Sequence, residues 1–142
     1  MKTISLWQPW ATLVAIGAKQ YETRSWSMKY RGLLAIHAAK RMDLLQKEFC
    51  LQDPFYSVLQ AKGFTVGNLP LGGIVAVVKV VEIVPTQAVV KTLSKNEVAF
   101  GNYASGRYAW QLELVKTLEK PIPMNGAQGL FEVADDLIMR FV

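Results

Sequence analysis

Cysteine and histidine are nearly absent: the 142 residues hold one of each, Cys50 and His37. A lone cysteine forms no internal disulfide. One cysteine and one histidine do not supply a four-ligand zinc site. Neither a metal nor a cofactor is expected. Long apolar runs are missing too. The longest, Gly72 to Val84, is interrupted by Lys79 and Glu82 and falls short of the roughly 20 residues of a membrane helix. At the N-terminus, Gln8 and Pro9 arrive before a signal-peptide core can form. The expected compartment is therefore a reducing cytoplasm, with no membrane partner. No repeat, phosphate-binding glycine loop, dinucleotide fingerprint or nucleophile elbow is visible.

What is present points to a folded domain. Hydrophobic residues make up 51% of the chain, too many for a disordered segment. The length suits one domain, residues 1–142. A domain of this size buries roughly 70% of the surface its unfolded chain exposes, so no staple is needed. Acids are outnumbered, 11 against 16 bases, for a net charge of +5. The excess is localised. Lys19, Arg24, Lys29, Arg31, Lys40 and Arg41 face a single acid, Glu22, between residues 19 and 41. Such a window suits an anionic partner, and it equally suits bases scattered over solvated faces.

Patterning gives short alternating elements. Residues 2–7 alternate as a strand, and Gln8-Pro9 opens a helix because proline is tolerated in a first turn. Gly17 ends that helix. Residues 20–26 alternate again, with Gln20, Glu22, Arg24 and Trp26 on one face. Leu33 to Ala39 reads as a buried strand carrying His37. Asp43 to Phe49 and Asp53 to Gly63 read as helices, followed by a glycine-rich loop to Gly73. Gly73 to Val84 is a valine-rich strand, and 86–93 a short helix. Residues 94–106 read as a surface loop, 107–115 as a strand, 121–123 as an extended connection and 129–133 as a last strand. The tail from Asp135 is helical or pairs at an edge. About six strands with few helices predict an α+β fold, a small closed or nearly closed barrel with helices packed outside.

The densest polar cluster is Lys19, Glu22, Arg24 and Trp26, near Gln8, Trp10 and His37 in sequence. Lys19 and Arg24 can bind phosphate. Trp10 and Trp26 can stack a base, and His37 can act as an acid or base. The same residues also make ordinary ion pairs, core tryptophans and a core histidine. Trp7 and Trp110 are expected in the core, and Cys50 as a small buried hydrophobe.

Ser5-Leu6-Trp7-Gln8-Pro9-Trp10-Ala11, followed by Gly17-Ala18-Lys19-Gln20-Tyr21-Glu22-Thr23-Arg24-Ser25-Trp26, resembles the opening of an ASCH domain. Gly17, Lys19, Glu22 and Arg24 match that family's G-x-K-x-x-E-x-R stretch position by position. Tyr30-Arg31-Gly32, Gly106 to Trp110, Pro121-Ile122-Pro123 and Gly129-Leu130-Phe131 resemble its later segments. Residues of about 43–67, a helical insert, match least. The resemblance implies a PUA-like β-barrel and a cleft between the first helix and the barrel, lined by the Lys, Glu and Arg of the motif. It implies binding of RNA or of a modified nucleotide. Some members resembling this chain deacylate N4-acetylcytidine with a threonine at the position of Glu22, and others are proposed ribonucleases. This chain has a carboxylate there, which cannot serve as the same acyl acceptor.

Three functions follow as expectations. The first is recognition of RNA, a nucleotide or a nucleoside. Lys19, Arg24, Arg31 and Lys40 would hold phosphate or sugar, Trp10 and Trp26 would stack, and Glu22 and Gln8 would read a base edge. The second is hydrolysis of a modified nucleoside, N4-acylcytidine amidohydrolase-like, or of RNA. There Glu22 would act as base and Lys19 as charge stabiliser, with His37 and Glu97 as weaker candidates. The third is protein interaction through an apolar patch of Leu44, Leu45, Phe49, Phe55, Val58 and Leu59 in the insert.

Overall fold

A computed structural model describes residues 1–142. Six strands form one curled sheet: β1 (Lys2–Leu6), β2 (Tyr21–Arg24), β3 (Gly32–Ala38), β4 (Gly73–Pro85), β5 (Tyr108–Pro123) and β6 (Leu130–Glu132). Their order is β2-β5-β4-β3-β1-β6. Only β1 and β3 run parallel, with Ser5 opposite His37. The fold is α+β, a half-barrel with its helices outside. Alternation makes the interior. Ile4 and Leu6 of β1, Leu34 and Ile36 of β3, and Trp110 and Leu112 of β5 share one buried cluster. The curl brings β2 back towards β1, where Arg24 Nη2 lies 3.5 Å from the Ser5 carbonyl oxygen. No helix is long and apolar enough to cross a membrane.

Helix α1 (Trp10–Ala15) lies between two cores. Ala11, Val14 and Ala15 face the barrel cluster. Leu13 faces a second cluster with Cys50, Phe55, Leu59, Leu69 and Phe100. The helix starts on Gln8, whose carboxamide accepts the Thr12 N–H at 3.0 Å. It ends at Gly17, whose φ of +77° needs glycine. Helices α2 (Leu44–Cys50) and α3 (Phe55–Gln60) roof the outer side of α1. This placement corrects the expected interaction patch. Phe55 and Leu59 are buried beneath the roof, and only Leu44 and Leu45 stand exposed, at 72% and 60%.

Three other expectations are corrected. The segment 94–106 is not all loop: Ser94 caps helix α4 (Lys95–Ala99) by accepting the Glu97 N–H at 3.1 Å. Residues 121–123 continue β5 opposite Gly73 and Ile74. Trp7 is not core but lies 41% exposed, just past the end of β1. The tail is helical over α5 (Asp135–Met139), which seats Ile138 on the outer face of the sheet against Ala35, Ile74, Val77 and Leu118.

Candidate functional site

A cleft of about 970 Å³ opens where β1 ends. Trp7, Trp10 and Phe49 supply aromatic lining, and Glu22, Arg24 and Arg107 supply charge. The loop 126–129, between β5 and β6, borders it too. Trp10 is fixed by edge contacts to Phe49 and Phe55, at ring centroid distances of 5.3 and 6.1 Å.

Charges behind the cleft form an alternating row. Glu22 Oε2 accepts from Arg24 Nε at 2.8 Å. Glu22 Oε1 lies 3.6 Å from Lys19 Nζ. Lys19 is 2% exposed and donates to the Tyr21 carbonyl. Beyond it, Glu97 Oε1 accepts the Gln20 N–H at 2.7 Å, while Glu97 Oε2 is buried with no partner. The motif spacing produces this row. Gly17 turns the chain, Lys19 enters the interior, and Glu22 and Arg24 alternate onto one face of β2.

Burial raises the Glu97 carboxyl above its ordinary range, partly offset by the Gln20 N–H and by Lys19. The Tyr103 hydroxyl, buried without a partner, is pushed up by burial and then by Glu97. A raised folded-state pKa means that the native state holds the Glu97 proton above pH 4.5, where the unfolded chain releases it. Stability from this group is therefore present at acid pH and lost as pH climbs from 4.5 through the raised value. Glu132 acts oppositely. The Lys2 hydrogen bond holds its pKa down, so its contribution is lost as pH falls below 4.5. Glu97→Gln is expected to remove the decline above pH 4.5 and spare the acid limb. Denaturant titrations across pH 4–8 check this; an unchanged slope would show that Glu97 does not titrate in that window.

The remaining predicted residues are dispersed. Gln8 is fully buried, donating to Thr12 Oγ1 and the Pro70 carbonyl, both at 2.8 Å. Its carboxamide has no free edge to read a base. Trp26 packs against Trp110 at 4.9 Å and does not border the cleft. Arg31 bonds the Met28 and Tyr30 carbonyls at the start of β3. The cleft lies at the other end of that seven-residue strand, about 23 Å away at 3.3 Å per residue. Lys40 is exposed beside Gly72, and Arg41 is paired with Asp43 at 2.9 Å. His37 is buried; its Nδ1 lies 2.9 Å from Ser5 Oγ, and its Nε2 donates to the Met124 carbonyl at 2.8 Å. Neither Lys19 nor Glu97 borders the cleft. No group of three His, Cys, Asp or Glu side chains is placed to hold a metal.

Sequence reasoning missed Trp7, Arg107 and the 126–129 loop as cleft residues. It also gave Thr23 no structural part; its Oγ1 accepts the Asn102 N–H at 2.9 Å and fixes the opposite rim.

Comparison with known proteins bears on the fold and the family. No curated protein matches the chain. Among solved structures, an ASCH protein from Zymomonas mobilis is similar at 14% identity and a TM-score of 0.58, over 98% of this chain and 91% of that one. Two single-residue variants of it score 0.57, at 14% and 15% identity, over 98% of this chain and 94% and 92% of theirs. Likeness at such identity is one of fold. The family model of the ASCH domain matches residues 4–122, a span containing the last three residues of β1, the whole Gly17–Arg24 motif and most of β5; this chain belongs to the ASCH domain family.

Proposed function

We propose that the protein recognises a single nucleotide-sized unit, free or exposed in RNA, within the cleft at the end of β1. The observation carrying this reading is that Trp7 and Trp10 line the same cleft as the Arg24–Glu22 pair. A base lies against the aromatic wall, where stacking contributes roughly 1–3 kcal/mol. Arg24 and Arg107 keep free N–H donors for phosphate or sugar oxygens. ASCH domains are generally thought to bind RNA, and the positive charge of this chain agrees with an anionic ligand.

Dispersal of the basic window sets the size of the ligand. Lys19 is turned inward, and Arg31 sits at the far end of β3. Of the six bases in that window, only Arg24 borders the cleft. Few phosphates are then contacted, and each contributes about −0.7 to the logarithmic salt slope for a single strand. Thermal shift followed by calorimetry with nucleosides, nucleotides and short RNAs tests this. A stabilising ligand with a salt slope near −1 to −2, weakened by Trp7→Ala, is expected. No shift with any of them would refute the reading, and a slope steeper than about −4 would indicate a strand track instead.

A second reading, hydrolysis of a modified nucleoside, has one observation in its favour. Glu97 presents a buried, unpartnered oxygen and a raised pKa in the row that includes Lys19 and Glu22. Product from N4-acetylcytidine, lost in Glu97→Gln, would favour turnover over recognition alone. His37 has no such part here, because both ring nitrogens are engaged.

A further inference from the structure

The loop between β5 and β6 presents main-chain donors that the fold leaves unused. None of the amides of residues 125–129 donates to an acceptor of the protein. Residues 126–129 border the cleft, on a surface shared with Arg24 and Arg107. Successive free amides in a turn form a concavity suited to an anion. Gly129, with φ of +65°, supplies a left-handed residue at the bend that ends this loop.

The loop is held in place. His37 Nε2 donates to the Met124 carbonyl at 2.8 Å, and the Met124 N–H bonds the Gly72 carbonyl at 3.0 Å. On its other side, Leu130 pairs with Ile4. Gly126 lies so close to the Ser5–His37 pair that a Cβ would fall 2.8 Å from the imidazole and 3.0 Å from Ser5 Oγ. Glycine is thus required there by close approach. Ser5 is also the residue whose carbonyl meets Arg24 Nη2. One residue therefore touches both the guanidinium and the loop. Glu22, the carboxylate in the same cleft, has its oxygens turned to Arg24 and Lys19, which leaves the loop side without an opposing anion.

We infer that loop 124–129, latched by His37 and facing Arg24, is an oxyanion subsite that takes the phosphate group of a nucleotide whose base lies on the Trp7–Trp10 wall. The base position rests on the proposed function; the phosphate position rests on the free amides and Arg24. Charge-assisted bonds from fixed amides need no ordering of the loop on binding.

Amide NMR of the full chain tests it, with inorganic phosphate alone and then with the four ribonucleosides and their 5′-monophosphates. Phosphate is expected to move the amide signals of residues 126–128. At least one monophosphate is expected to bind about tenfold or more tightly than its nucleoside. Ala127→Pro, which deletes one donor, is expected to lower monophosphate affinity more than nucleoside affinity. Unmoved 126–128 amides, or equal affinity of nucleoside and monophosphate, would overturn the subsite and leave base recognition standing. Phosphate-dependent shifts there, with no nucleoside bound and no monophosphate bound more tightly than inorganic phosphate, would support the subsite and remove the nucleotide reading. Should Ala127→Pro fail to fold, the wild-type phosphate titration decides alone.

Discussion

Lys19→Met is expected to lower the unfolding free energy by about 3–5 kcal/mol and the melting temperature by about 10 °C or more. Lys19 is the cation between Glu22 and Glu97, and its side chain is 1% exposed. Removing it leaves two poorly solvated carboxylates with fewer partners, and an abandoned buried charge costs more than the pair itself contributes. It also frees the Tyr21 carbonyl from its lysine donor. Methionine keeps much of the volume, so the effect reports charge and hydrogen bonding rather than a cavity. Adding Glu97→Gln to Lys19→Met should recover part of the loss, because one of the two stranded charges is then gone. A double-mutant cycle by urea denaturation measures that coupling. An unchanged melting point in Lys19→Met would mean that the row does not depend on its central cation.

The same row shows what could be read in advance. Gly17, Lys19, Glu22 and Arg24 were legible because a helix stop and a period-two strand fix where each side chain goes. Ser94 and Glu97 carry the spacing of a capped helix start, but Gly101 and Gly106 nearby made the segment look like loop. Trp7 was misplaced by its hydrophobicity. Alternation along β1 puts it on the face opposite Leu6, so the period was a better guide than the residue type. Trp26 was misplaced because β2 stops at Arg24, after which the chain turns the indole onto Trp110. Pro121 and Pro123 suggested a break, yet β2 covers β5 only over residues 108–111. Further along, β5 pairs with β4 alone, and an edge tolerates proline. The basic window was a property of the chain rather than of the surface, since the length of β3 separates Arg31 from the cleft. The 126–129 loop was illegible for a different reason: its donors are main-chain amides, which no side-chain pattern announces.

Arg24→Ala is expected to lower nucleotide affinity by about two orders of magnitude, roughly 3 kcal/mol, while costing little stability. Two effects add. The ligand loses charge-assisted bonds from the guanidinium, each contributing about 1.5–3 kcal/mol. Glu22 loses its Arg24 partner at 2.8 Å and keeps only Lys19, at 3.6 Å, so its carboxylate repels an anionic ligand more strongly. Because the Arg24 side chain is 26% exposed, its vacated space fills with water and the fold tolerates the change. Arg24→Lys should recover only part of the affinity, since an ammonium cannot reproduce the planar fork that reaches Glu22 and the Ser5 carbonyl together. Combining Arg24→Ala with Glu22→Gln separates the two effects. If repulsion by Glu22 is the larger, the double variant binds more tightly than Arg24→Ala alone. If the lost donors dominate, the two bind alike. Calorimetry with the best nucleotide at two salt concentrations reads both outcomes, and full affinity in Arg24→Ala would remove Arg24 from the site.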